Sequence, residues 1–462
     1  MITPRRRWAF RRTEGILLII VVMVAFLGFA LVAASGPAIR GQDPLPAVPR
    51  ALQPPAVLAL VLIGLHVLLC YRGMETEQVM LPVVGLLLAI GLALIFRLLG
   101  FDGVWQQITR GLLPGAAVMA ILIMRPELIE TIRRKWPLLI SLGGLLLLLI
   151  TAFLGSVDES GARLSLKLGP LPPVQTSEIV KLSLIFFLAW YTERAREEVE
   201  GRARLFAGLH IPALRYFVPG TLFVAMATLA LVRMSDLGAI LILGSLFVGM
   251  LYAGFEPRVF LAVATIGLVL FLAAALVLAV VWQPPDVIQQ RVAAWSDPWS
   301  SAPVMVDGRP TGQTIAEGPG YQIQQSIYAV IAGGVAGAGL GMGSPQNVPL
   351  AHSDFILAAV AEELGAAGML AVLACYAILL LRLLRLAIAL PDGQFFERLL
   401  LVGIAVHLFA QVFIMGGGTF NLIPLTGITV PFLSLGGVAL LVNLTEIGLA
   451  LALAQRLKER LI

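Results

Sequence analysis

Runs of about twenty apolar residues recur along the whole chain, and no other feature restricts its fold as tightly. They fall near 15–34, 55–71, 79–99, 107–124, 136–154, 177–192, 214–232, 236–254, 258–282, 353–382, 398–417 and 430–455, with Pro, Gly and charged clusters between them. A helix of that length crosses the roughly 30 Å hydrocarbon core of a bilayer. Inside hydrocarbon each segment must satisfy its own backbone hydrogen bonds, so such runs become helices. Composition points the same way: 59% of residues are hydrophobic and 13% are charged, against roughly 25% charged in a soluble domain. The expected class is an all-α polytopic membrane protein.

Arg5, Arg6, Arg7, Arg11 and Arg12 precede the first run, and small residues follow it, as in a signal peptide. The run is longer than the roughly 7–15 apolar residues of a cleavable signal, so a retained anchor is expected. With the N-terminus in the cytoplasm, 22 of the 32 Lys and Arg residues fall on the inner side and nine on the outer. That bias is the one insertion imposes. It accounts for the net charge of +5 without nucleic acid, and it places both termini in the cytoplasm. Cys70 and Cys375 each lie in an apolar run and imply no disulfide framework. Neither a Walker-type phosphate loop nor a paired His or Cys metal spacing occurs.

Three outer segments are too polar or too Gly-rich for lipid: 155–176, the long loop 283–352, and 416–430. Irregular backbone at such depth needs protein or a water-filled cavity around it. The long loop leads into A-H-S-D-F-I-L-A-A-V-A-E-E-L-G-A-A-G-M-L at 351–370, which reads as a helix opening with His352 and Asp354 and carrying Glu362 and Glu363 deeper. Carboxylates beside hydrocarbon are costly and mark sites. Asp354 is either a helix cap or a general base at the outer boundary. Glu178 and Lys181, spaced i, i+3 on one helical face, are either a salt bridge that orients helices or a phosphate site. Arg163, Lys167, Arg233 and Arg291 are external cations whose convergence would suit a diphosphate. Asp236 begins a span. His66 and His407 read as satisfied interior histidines, and the glycines of 333–343 only imitate a nucleotide loop.

Taken together, these segments resemble the SEDS family (FtsW, RodA, SpoVE), the peptidoglycan polymerases of bacterial membranes. A-H-S-D-F-I-L-A-A-V-A-E-E-L-G is similar to the family's H-T-D-F-I-F-A-V-x-x-E-E-L-G. P-L-T-G-I-T-V-P-F-L-S-L-G-G at 424–437 resembles P-x-T-G-x-P-L-P-F-x-S-Y-G-G. Q-T-S-E-I-V-K-L, M-S-D-L-G-A and the Q-Q-R-V-A-A-W-S-D-P-W loop with G-Y-Q-I-Q-Q-S complete five motifs in order over 80–458. The chain departs at Leu435, Val438 and Ala439, where the family carries Tyr and Ser-Ser. It departs also at Thr176 in place of Pro, at Leu164-Ser165 after Arg163, and in an insertion around 301–318.

The resemblance implies a ten-span core at 79–458, preceded by an Arg-rich tail and an extra two-helix hairpin at 1–78. It implies polymerisation of glycan chains from lipid II, on undecaprenyl diphosphate, at the outer face of the bacterial cytoplasmic membrane. Asp354 would be the general base of an inverting transfer. Lys181, Glu178, Arg163, Arg291, Asp236, His352, Gln325 and Ser434 would bind substrate. No cofactor is certain, and a divalent cation (Mg or Mn) with unknown ligands is compatible with that chemistry. A class B penicillin-binding protein is the expected partner. A flippase for lipid-linked sugars and a non-catalytic scaffold for wall synthesis are the competing readings.

Overall fold

The computed structural model describes residues 10–39, 41–43, 45–156, 165–167, 173–202, 204–206, 209–211, 218–257, 259–261, 264–265, 286–306, 308–391 and 393–459. Its main helices are α1 (Arg12–Ile39), α2 (Gln53–Tyr71), α3 (Met80–Gln107), α4 (Leu113–Met124), α5 (Glu127–Lys135), α6 (Pro137–Leu154) and α7 (Thr176–Arg202). They continue with α8 (Val218–Met234), α9 (Leu237–Gly254), α10 (Asp286–Ser296), α11 (Pro319–Gly333), α12 (Ile356–Ala389), α13 (Phe395–Thr419) and α14 (Gly437–Glu459). Three two-stranded antiparallel hairpins are the only sheets among the described residues. The fold is a helical, multi-span membrane protein, with eight helices among the described residues long and apolar enough to cross a bilayer.

Glycines decide where the longest helices bend. The helical stretch Met80–Met124 runs for 45 residues, about 68 Å at ~1.5 Å per residue and far more than one bilayer crossing. It bends at Gly100 (φ 67°, ψ −153°), a conformation open to glycine and strained for other residues, so two spans fit. α12 bends in the same way at Gly365 (φ 67°, ψ −173°).

The chain divides into two compact units, one of residues 1–130, 316–386 and 411–462 and the other of 131–315 and 387–410. In the first, α1 packs along α3, with Phe29 stacked on Phe96 at 5.2 Å. α14 lies against α4, and small residues set the spacing. A Cβ added to Gly115 would stand 2.7 Å from Leu444, and one on Gly448 would stand 2.9 Å from Met119. Close backbone approach of this kind is how helices associate where lipid removes the hydrophobic drive between them. In the second unit, α6 meets α7 at Gly144 and Ser183, and Phe187 stacks on Phe223 at 4.6 Å. Arg133 reaches Glu193 at 2.6 Å and Glu397 at 3.5 Å. Leu139, Leu142, Leu146 and Phe153 of α6 are exposed, as lipid-facing residues would be.

Several sequence expectations change. The segment 283–352 is not a featureless aqueous loop. It holds α10, the β-hairpin Pro303–Val306/Arg309–Thr314 at the insertion, and α11. α11 buries Ile323, Ser326 and Ala329, three residues apart and so on one helical face. The last span begins at Gly437 rather than 430, because Pro424 and Pro431 interrupt any helix and Phe432 adopts φ 65°. Arg11, of the Arg-rich tail, is buried, pairs with Glu14 and donates to the carbonyls of Met74 and Glu77. His66 is satisfied by Glu14 at 2.6 Å, and both cysteines are free and buried. Arg163 and most of the expected span 258–282 lie outside the described residues.

Candidate active site

In the first unit the site is built on the turn 350–355 that precedes α12. Leu350 takes φ 56°, and Phe355, fully buried against Ala329, Val348, Ala351, Ala358, Leu98 and Leu425, anchors the end of the turn. Asp354, the residue before that anchor, is partly exposed. His352 is half-buried, and burial holds its imidazole below the usual histidine range, which keeps it neutral at pH 7.

The loop 424–437 is stitched to this turn. Ser434 Oγ donates to the carbonyl of Ser353 at 2.7 Å and accepts the N–H of Val430 at 2.9 Å. The N–H of Leu435 donates to the carbonyl of His352 at 2.8 Å. The bond at position 435 therefore comes from the backbone and does not depend on the Leu435 side chain. Gln107, at the end of α3, holds the same loop from the other side. Its Nε2 donates to the carbonyl of Ser434 at 3.0 Å, and its Oε1 accepts the N–H of Gly436 at 2.9 Å. Tyr376 of α12 donates to the carbonyl of Pro431. Gly91 lets the loop rest on α3, since a Cβ there would stand 2.6 Å from the carbonyl oxygen of Leu433.

Glu362 and Glu363 are both buried and both committed to structure. Glu362 accepts the N–H of Ser344 at 2.6 Å. Glu363 accepts that of Gly341 at 3.1 Å and lies 3.3 Å from Arg97. Arg97 also donates to the carbonyl of Gly343 at 3.0 Å. The glycine segment 333–343 wraps the bend at Gly365, exchanging backbone bonds with Glu362, Glu363, Ala366 and Ala367. Its glycines thus serve close backbone packing, not a nucleotide. Gln325 is half-buried on α11.

In the second unit Glu178 and Lys181 form a fully buried ion pair at 2.7 Å on α7. Asp236 caps α9 by accepting the N–H of Ala239 at 2.9 Å, and it bonds Ser177. The three charges therefore gather at one place. Thr176 donates to Thr151 Oγ1 of α6 at 2.9 Å. Arg291, on α10, has a buried Nη1 with no hydrogen-bond partner among the described residues. Among the described residues no three His, Cys, Asp or Glu side chains gather as a metal cage.

A multi-span helical membrane protein with a carboxylate poised at the mouth of a span, and a buried ion pair in its second unit, is the class these features define. The chain belongs to the FtsW/RodA/SpoVE family of cell cycle proteins, whose model matches residues 78–459. It is 32% identical over 445 residues to the peptidoglycan glycosyltransferase RodA of Mycobacterium tuberculosis, covering 94% of this chain and 88% of that one. It is also 32% identical over 331 residues to the probable peptidoglycan glycosyltransferase FtsW of Geobacter metallireducens, covering 70% and 78%. Among solved structures it matches a chain from a peptidoglycan synthase complex described as coordinating polymerization and crosslinking. That match has a TM-score of 0.63 and 25% identity, over 83% of this chain and 98% of that one. The fold is shared as well with the Thermus thermophilus rod shape determining protein RodA, at a TM-score of 0.54 and 23% identity over 82% of this chain and 97% of that one.

Proposed function

We propose that this peptidoglycan glycosyltransferase extends glycan chains from lipid II, with Asp354 as the general base of an inverting transfer. The observation that carries the assignment is the partly exposed Asp354 at the end of a turn fixed from two sides, by the Phe355 plug and by the Ser434 and Leu435 bonds. A base must be held within hydrogen-bond reach of the proton it removes. The 4-hydroxyl oxygen of one sugar attacks the anomeric carbon of another, the bond from that carbon to the diphosphate breaks, and the hydroxyl proton passes to Asp354. Diphosphate departs as a stable anion and needs no carboxylic acid behind it, unlike the paired-carboxylate sites of glycoside hydrolases.

Lys181, Arg291 and Arg163 are our candidates for the diphosphate, and the unpartnered Nη1 of Arg291 supports its inclusion. Glu178 and Asp236 hold Lys181 in place. A divalent cation would add charge neutralisation at the diphosphate. Such a cation would be held mainly by phosphate oxygens of the substrate, as Mg2+ commonly is. The enzyme works in the bacterial cytoplasmic membrane with its site facing outward and both termini inside, beside a class B penicillin-binding protein that crosslinks the product.

Polymerisation in detergent micelles separates this function from flipping, since micelles offer no second leaflet. Purified chain plus partner should convert labelled lipid II to glycan ladders. Lipid II left unchanged there, with translocation seen in vesicles, would favour a transporter.

A further inference from the structure

Gln107 is buried, 1% exposed, at the end of α3. A primary amide out of water costs stability unless both its ends are bonded. Here both are spent on one loop: the N–H of the amide on the Ser434 carbonyl and its oxygen on the Gly436 N–H. A donor opposite a carbonyl and an acceptor opposite an N–H leave one orientation for the amide. The two loop residues it spans flank Leu435, and Ser434 and Leu435 are the two that reach the Asp354 turn, through Ser353 and His352.

The helix is shaped for this contact. Directly after Gln107 it widens into a π-helical turn, Ile108–Leu112, a device found often at functional sites. That turn lies against the start of α14. A Cβ added to Gly437 would stand 2.9 Å from Arg110, and one on Gly111 would stand 3.0 Å from Leu440. These two glycines therefore let the turn and the start of α14 pack closely behind the loop.

We propose that Gln107 is a positioning residue for glycosyl transfer: its amide fixes the 434–436 loop, which in turn fixes the turn presenting Asp354. This rests on the reading of Asp354 as the base. Gln107 touches no substrate, so its loss acts on kcat and leaves KM alone. A displaced supporting contact of this kind costs about 10–100-fold.

The test is lipid II polymerisation by the full-length chain with its partner, for Gln107→Leu, Gln107→Glu, Ser434→Ala, Gln107→Leu/Ser434→Ala and Asp354→Asn. Gln107→Leu should lower kcat by about 10–100-fold at unchanged KM, and adding Ser434→Ala should cost little more, because both act on one loop. Gln107→Glu supplies a readout that bulk destabilisation does not move. Its carboxyl can replace both bonds only when protonated, so its activity relative to wild type should climb as pH falls. Wild-type kcat in Gln107→Leu, or a pH-independent ratio for Gln107→Glu, overturns the proposal. If Gln107→Leu does not accumulate, the Gln107→Glu ratio decides alone. An Asp354→Asn enzyme that still polymerises removes the base assignment itself, an outcome distinct from a silent Gln107 series beside a dead Asp354→Asn.

Discussion

Replacing Lys181 separates a pair that merely ties helices from one that also binds anion. Its Nζ lies 2.7 Å from Glu178 Oε1, with the two side chains 0% and 1% exposed, so solvent screening is negligible. Lys181→Met leaves the buried Glu178 without its partner, beside Asp236. Removing one partner of a buried pair costs about 3–5 kcal/mol, whereas removing both charges is often neutral or stabilising. Thermal unfolding in detergent should therefore show a large loss for Lys181→Met and partial recovery in Glu178→Leu/Lys181→Met, in which Asp236 keeps its bond to the Ala239 N–H. Lipid II polymerisation should stay low in both, because the recovered fold still lacks the cation for the diphosphate. A double variant that regains activity along with stability would reduce the pair to a structural tie. A single variant that melts with wild type would refute the burial argument.

Gly365→Ala forces a side chain into φ 67°, costing about 1–2 kcal/mol, and sets its Cβ 2.3 Å from the Gly337 nitrogen. Its melting temperature should drop clearly, and an unchanged melt would contradict the wrapped bend. For His352, burial lowers the folded-state pKa below its ordinary value of 6.5. The unfolded chain then binds the proton more readily, so this contribution is complete above about pH 6.5 and is lost as pH falls from there through the folded-state value. His352→Gln should flatten the acid limb of the stability profile measured between about pH 7 and 5; an identical limb would exclude His352 as its source.

Hydropathy made most of the membrane helices legible, because twenty apolar residues leave a chain few alternatives in lipid. The bend at Gly365 was not legible, since a lone glycine in an apolar run carries no sign of what packs on it. Neither was α11, whose apolar face is only three or four residues wide in a polar segment. Asp354 and the Glu178–Lys181 pair stood out because charge in such a chain is rare. Gln107 gave no comparable signal: it is neutral, and its partners lie more than 300 positions away in sequence. The pairing of Arg97 with Glu363 and with the Gly343 carbonyl, the latter 246 positions away, likewise left no sign in the sequence. Glu362 and Glu363 looked functional by the same charge rule, and the glycine segment absorbs both of them.

Single-turnover glycosyl transfer from lipid II by Asp354→Asn is the most direct test of the account. The change keeps the shape of the side chain and removes its basicity, and general-base catalysis contributes about 100- to 10,000-fold. The account predicts a rate reduced by at least about 100-fold, with melting temperature and lipid II affinity retained. A rate within about tenfold of wild type would contradict it and leave Asp354 as a cap on its turn.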